Sequence, residues 1–388
     1  MQERCFWDDP GYEANDPLAG NERADWLIVG GGVSGLFAAY FLLKRGERDI
    51  VLIERGAVGS GSTGHSAGML IGDLQTGPWS AVIAKYGAEA ARAYMSAQED
   101  AQRIVRSLIE NEGIACDFSM RDFVLINDSE WAIRRTMHEF AARQAIDPRH
   151  PTLLDEEELR NEIRSGEFYF GEHLEQGLTV NPLKFAHGVK AYLVRHGVRV
   201  YEHTPFLSYR DGVAYMPHGT VSCGHIIHAS GTWLRDPSLK NYMTTIGITR
   251  PLSQGELSAL NLADKDMFLD DGKRSFHYGK ITADDRLLLG YGDVLGSSSS
   301  AVVRLHMSHV DNIRHFIRRF TGYDIPLEHA WTGQYSLSTG LLPQVIVGER
   351  ESSIGGAGTQ IASITAVSYL VSALYHDPHP LDALFYAD

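Results

Sequence analysis

The chain has 388 residues, 44% of them hydrophobic and 22% charged, with a formal net charge of −14. That length is enough for two lobes around separate cores, and the composition excludes a disordered chain. The negative charge argues against nucleic acid or an anionic membrane surface as partner and favours cationic or neutral small substrates.

Residues 27–29 read as a short buried strand. The turn after it sets Gly30, Gly32 and Gly35 at GxGxxG spacing, with Gly31, Val33 and Ser34 between them. Lacking side chains, these glycines permit the tight turn, the approach of a pyrophosphate and close helix packing. A helix beginning near Ser34 points its N-terminal amides at phosphate. Residues 50–53 supply the next strand, followed by Glu54 and Arg55. Glu54 stands about 20 residues past Gly35, where a carboxylate accepts from both ribose hydroxyls and repels a 2′-phosphate. The apolar stretch 27–43 is short, broken by three consecutive glycines and preceded by Asp25, so it is nucleotide strand and helix, with no membrane span expected.

A second run of small residues, 59–64, places Gly61, Ser62 and Thr63 beside a pyrophosphate already held by the first loop. An NAD protein has no need of it, so the expected dinucleotide is FAD. His65, Ala67, Gly68 and Met69 continue this loop as further cofactor contacts.

Tyr94, Ala97, Ala101, Ile104, Val105 and Leu108 recur at helical spacing before Gly113, predicting a long amphipathic helix with a glycine cap. A strand is expected over 118–127, and the acidic run from Asp155 starts a helix rather than a metal site. A βαβ-like stretch runs from Asn181 and Pro182 through a helix over 185–195 to a strand over 198–201. A buried strand over 225–233 ends in small residues, and Phe206, Ser230, Gly231 and Trp233 are candidate cofactor contacts on this stretch. Ser297 to Ser300 reads as a mobile loop, and 306–320 as a helix. Asp284 and Asp285 mark a hairpin turn, and His376 and His379 a surface turn. Cys5, Cys116 and Cys223 are scattered without CxxC spacing, which suits a reducing cytoplasm and points to neither zinc nor disulfides.

The expectation is an α/β protein with a discontinuous Rossmann-like FAD-binding lobe plus a substrate lobe with a mainly antiparallel sheet. The FAD-binding lobe takes 24–113, 171–235 and 329–388, and the substrate lobe 114–170 and 236–328. Gly333, Gly356, Gly358, Thr359, Gln360 and Ile361 form a third glycine-containing cluster, its last residues opening a long apolar helix through Ala373. By itself that is equally a glycine turn before a core helix.

With the GSGST run following Glu54, the chain resembles the D-amino-acid-oxidase-like family of FAD-dependent oxidoreductases. Further shared features are the Ala24-Asp25 opening after an aromatic arm with Phe6 and Trp7, the phrase Asn181-Pro182-Leu183, the strand from Tyr278 to Thr282, and the run from Ala330 to Gln344. Together they are similar to gamma-glutamylputrescine oxidoreductase-like amine oxidoreductases. The resemblance implies oxidation of the C–N bond of a small-molecule amine or amino acid derivative, with hydride passing to flavin N5 and oxygen or another electron acceptor taking the electrons. It also places the cluster near Gly356 against the flavin ring, with backbone amides near N1 and O2.

Departures from the pattern carry information. His65 stands where such enzymes commonly have arginine, and resembles the histidine that dimethylglycine and sarcosine dehydrogenases bond to the flavin 8α-methyl group. The other reading is a histidine that only hydrogen-bonds. Leu288 falls where monomeric sarcosine oxidases carry the lysine that promotes reaction with oxygen, and Ala362 where they carry the lysine that grips a carboxylate. Phe276, Tyr278 and Lys280 share one face of a strand. Lys280 is the candidate catalytic group, to orient a substrate oxygen or take a proton from the ammonium form, with His65 and Tyr278 beside it. Two other readings stay open: oxidation of a 2-hydroxy acid, and a flavin-bearing subunit whose site a partner completes.

Overall fold

The structure, a computed structural model, describes residues 1–72, 77–148, 152–163, 170–260, 267–269, 276–296 and 304–385. The serine run 297–300 lies outside them.

Apolar residues at consecutive positions require cover on both faces of a strand, and this is how the first sheet is built. Its order is Gln344–Ile346, Glu351–Gly355, Gly219–His228, Gly20–Val29, Ile50–Ile53, Arg199–Tyr201. The four pairings from Glu351–Gly355 to Arg199–Tyr201 are parallel. Ile28, Ile50, Leu52 and Ile227 face helices Val33–Lys44, Pro182–Arg195 and Gln360–Leu374, whereas Leu27, Val29, Val51, Ile53 and Ile226 face Ala214, Met216 and Leu18. Helix Val33–Lys44 is apolar nearly all round because it lies between sheet and other helices.

Local signals set the other helices. Ala88–Glu112 ends at Gly113 in the left-handed region, φ 61°. Asp155 caps Glu156–Glu162 through a reciprocal pair with Glu158, and Asn181 caps Pro182–Arg195 by accepting from the amides of Leu183 and Lys184.

The second sheet runs Gln2–Glu3, Leu327–Ser338, Leu239–Pro251, Arg286–Leu295, His277–Ile281, Met267–Leu269, Ser119–Asn127, Phe170–Thr179, Met69–Leu70, and is antiparallel except at two pairings. Side-chain alternation gives it two apolar faces. Leu287 and Leu289 pack outward with Val310, Ile313 and Phe316 of helix Met307–Thr321, while Leu288 turns inward with Ile246, Ile248, Trp331, Trp7 and Ala67. The fold is thus α/β with a discontinuous Rossmann-like lobe and a mainly antiparallel second lobe.

Two expectations need correction. Strands Phe170–Thr179 and Leu327–Ser338, expected to open first-lobe segments near 171 and 329, both hydrogen-bond within the second sheet, and so does Met69–Leu70 from within 24–113. An apolar strand carries no mark of which sheet it joins. The expected strand over 225–233 ends at His228, and Gly231–Trp233 form a 3-10 turn that leaves the sheet with Gly231 at φ 57°.

The N-terminal arm straps the two lobes together. Gln2–Glu3 pairs with His329 and Ala330 at the edge of the second sheet. Further along, Asp9 bonds His187 at 2.7 Å, Tyr12 stacks on His187 at 3.4 Å, and Glu202 receives the Asn15 amide at 2.6 Å, the Lys190 ammonium at 2.6 Å and the Tyr12 hydroxyl.

Candidate active site

The phosphate cradle is a consequence of backbone approach. The strand Gly20–Val29 hands over to Gly30 at φ 117°, where a Cβ would stand 2.5 Å from the Ala229 carbonyl oxygen. A Cβ on Gly35 would stand 1.8 Å from the Gly30 oxygen, so the first helical turn sits on the loop beneath it. The Glu54 carboxylate accepts from the Gly31 amide at 2.7 Å and the Gly56 amide at 2.9 Å. Each oxygen keeps a second lone pair for ribose. Arg55 lies over the Trp233 ring at 3.9 Å, and Phe206 meets His228 edge-on, both at the C-terminal ends of the parallel strands.

The second glycine-rich loop is bound to the first. Thr63, buried, accepts from the Val33 amide at 3.0 Å. Gly64 donates to the Gly59 oxygen at 2.8 Å, folding 59–64 into a tight turn. From His65 onward, long side chains of the second sheet and the arm take the loop's carbonyls. Trp331 Nε1 donates to the His65 oxygen at 2.9 Å, Trp7 Nε1 to the Ser66 oxygen at 2.8 Å, and Lys280 Nζ to the Gly68 oxygen at 3.1 Å. His65 Nδ1 lies 2.9 Å from the Gly61 oxygen. A carbonyl only accepts, so it is Nδ1 that donates in this contact, and Nε2 takes no part in it.

Lys280 does not stand free in a cavity. The residue is 3% exposed, and its ammonium also donates to the Val180 oxygen at 3.0 Å, beneath the Trp7 ring. It lies directly across the sheet from Leu288. The other candidate, Tyr278, has its ring over Gly290, where a Cβ would come within 1.9 Å of Cζ, and its hydroxyl 3.3 Å from Thr244 Oγ1. Burial pushes the Tyr278 phenol well above its ordinary range, which favours the neutral hydroxyl.

The third cluster closes the site. Gly356, at φ 66°, passes so close to Leu327–Ser338 that a Cβ would stand 2.6 Å from the Ser338 amide nitrogen. Gly358 follows at φ 72°, and Thr359 caps helix Gln360–Leu374 by accepting from the Ala362 amide. Gln360 Nε2 donates to Ser66 Oγ at 2.8 Å, while Gln360 Oε1 is buried without a partner. Gly333 lies beside them, a Cβ there being 3.1 Å from the His65 oxygen, and Ile361 is fully buried. The three glycine-rich segments, far apart in the chain, thus converge at one end of the parallel strands. This is the site the glycine approach, the Glu54 acceptors and the unpartnered Gln360 oxygen suit to a dinucleotide.

The sequence profile of the family described as "FAD dependent oxidoreductase" (DAO) matches residues 25–364. The chain belongs to this family. Gamma-glutamylputrescine oxidoreductase of Escherichia coli (strain K12) is 28% identical over 344 residues, covering 86% of this chain and 78% of that protein. Mitochondrial dimethylglycine dehydrogenase of Mus musculus is 25% identical over 245 residues, 61% of this chain and 26% of that protein. Among solved structures, glycine oxidase from Geobacillus kaustophilus superposes with a TM-score of 0.76 at 19% identity, covering 92% of this chain and 96% of that one. L-proline dehydrogenase from P.horikoshii gives 0.77 at 14% identity, with 93% and 96% covered. No helix among the described residues is long and apolar enough to cross a membrane.

Some wall residues gave no signal in the sequence. Tyr242, Thr244, Asp293 and Tyr335 lie on the inner face of the second sheet, on strands that read only as generic apolar runs. The glycine at 292, at φ 72° beside a register shift, is the one local hint.

Proposed function

We propose that the protein oxidises the C–N bond of an amine or amino acid derivative. The observation that carries this is a tyrosine-lined wall, Tyr242, Tyr278 and Tyr335, facing the loop of His65, without a lysine at position 288 or 362. Gamma-glutamylputrescine oxidoreductase, whose name denotes an amine substrate, supports it across most of the chain. When bound, FAD supplies the hydride acceptor at flavin N5. The chain's own part is to exclude water with Trp7, Leu288 and Trp331, to present neutral tyrosine hydroxyls, and to hold the His65 to Gly68 backbone through Trp331, Trp7 and Lys280. We assign Lys280 as a positioning residue for that loop.

We read His65 as the candidate for covalent attachment: with Nδ1 turned to the Gly61 oxygen, the neutral ring would offer its Nε2 lone pair to the 8α-methyl carbon. Acid precipitation of fully loaded protein tests it: colour stays with the pellet if the bond exists, and release of all flavin into the supernatant rejects it. For the reaction, amines, amino acids and 2-hydroxy acids are added anaerobically to holoprotein while the flavin absorbance is followed. Bleaching by amino compounds is expected. Bleaching by hydroxy acids alone overturns the proposal, and no bleaching by any compound favours a subunit that a partner completes.

A further inference from the structure

Asp293 reaches the inner face of the second sheet by an irregularity in its strand. Tyr291 points outward, stacking on His277 at 4.5 Å and meeting His309 edge-on. Two residues later a regular strand would point outward again. Instead the register shifts: Tyr291 pairs with Thr245 but Asp293 pairs with Thr244, leaving Gly292 extra at φ 72°. That is a bulge, which re-aims one side chain and which proteins place beside working sites. Its outcome is a carboxylate in the same cross-strand row as Thr244 and Gly333, the glycine that lies against the His65 carbonyl. Two strand spacings, about 10 Å, separate Asp293 from Gly333.

Aromatic rings surround this carboxylate. Tyr335 and Tyr242 pair across the strands one row further along, their rings stacked at 5.7 Å. The Tyr335 hydroxyl interacts with the carboxylate, and Tyr278 covers Gly290 on the next strand. Asp293 keeps access to solvent, yet enough protein surrounds it that desolvation raises its carboxyl above the ordinary range, against the Tyr335 hydrogen bond. A carboxylate in such surroundings gains by meeting a cation, and tyrosine faces add to the attraction.

We propose that Asp293, with Tyr242, Tyr278 and Tyr335, is a subsite for a second ammonium group of the substrate, one that is not oxidised. It rests on the amine reading above and narrows it to amines carrying another cationic nitrogen. The reacting nitrogen has to be neutral to release hydride, and a carboxylate beside it would hold its proton in place. Asp293 therefore suits the nitrogen that stays charged, at a distance from the centre of reaction. Ala362, where a carboxylate clamp would need lysine, agrees with a substrate gripped by its cation.

The test uses holoprotein and matched pairs of probes: butylamine against 1,4-diaminobutane, and pentylamine and hexylamine against the corresponding diamines. Binding is followed by equilibrium dialysis, and reaction by anaerobic bleaching. Wild type should prefer a diamine to its monoamine by at least tenfold, with the preference varying along the chain-length series, and Asp293→Asn should bring the ratio to near one. Asp293→Glu, which keeps the charge, should retain part of the preference. Should Asp293→Asn lose its flavin, the wild-type series and its inhibition by tetramethylammonium still decide the matter. A ratio near one in wild type, or a ratio that Asp293→Asn leaves unchanged, removes the subsite even if amines bleach the flavin. Diamine binding that depends on Asp293, combined with bleaching by hydroxy acids alone, supports the subsite and overturns the amine reaction instead.

Discussion

The cradle at the end of the parallel strands and the inner face of the antiparallel sheet solve different problems. The cradle is shaped by main chain: Gly30, Gly35 and Gly356 are where a side chain has no room, and the Glu54 carboxylate is itself held by the Gly31 and Gly56 amides. The wall works through side chains, Tyr242, Tyr278, Asp293 and Tyr335, set in rows by register and by one bulge. A binding surface made of backbone tolerates almost no change of residue size. A surface made of side chains tolerates change and alters what it selects.

The largest effect that comparison predicts is in the cradle. Gly35→Ala should lower the flavin-to-protein ratio more than tenfold, because the new carbon would stand 1.8 Å from the Gly30 oxygen. Gly32→Val sharpens it: a Cβ there meets only Thr63 Oγ1 at 3.2 Å, so melting of the apoprotein should stay near wild type while flavin is lost through the blocked phosphate approach. Flavin absorbance after desalting reads both, and full loading of either variant would break the comparison.

Next comes the strap. Lys190, side chain 6% exposed, and Glu202, 0% exposed, form a buried pair, and Lys190→Met leaves the carboxylate with Tyr12 and two amides alone. The cost should be about 3–5 kcal/mol in urea unfolding. Glu202 also gives a pH signature. Burial would raise its carboxyl, but donors from Lys190, Tyr12, Val58 and Asn15 outweigh that and hold it below the ordinary carboxyl range. A depressed folded-state pKa contributes stability that is complete above the unfolded value and disappears as pH falls below it through the folded one. Stability of wild type should therefore drop more steeply below pH 4.5 than that of Glu202→Gln, and parallel curves would reject the assignment.

The smallest effects belong to single hydrogen bonds. Trp7→Phe leaves the Ser66 carbonyl without its donor and should cost about 1–2 kcal/mol. Tyr278→Phe removes one hydroxyl from the wall and should weaken amine binding by about 1 kcal/mol while flavin content is retained, as equilibrium dialysis and absorbance will show.

What could be read from the residues follows the same division. Helix Ala88–Glu112 with its Gly113 cap, the capped start at Asp155, and the strand, turn and helix around Gly30 are local, and local chemistry writes them. The first-lobe cofactor loops were legible for that reason. Of the wall, Tyr278 and Gly333 could be named, but not Thr244 and Asp293, which join them only through pairings of distant strands. Lys280 shows the limit best. Strand alternation put it on the inner face, but only the approach of Gly68 and Val180 decides that its ammonium holds two carbonyls.

The arm that crosses the His65 loop precedes in the chain most of the residues that hold it. Its partners, His187, Lys190, Glu202 and then His329 and Ala330, leave the ribosome much later. Trp7 finds the Ser66 carbonyl early, but Tyr12 waits for His187, Lys190 and Glu202, and the edge strand Gln2–Glu3 waits for His329 and Ala330, so the strap closes only after the segments of both lobes that it joins have been made.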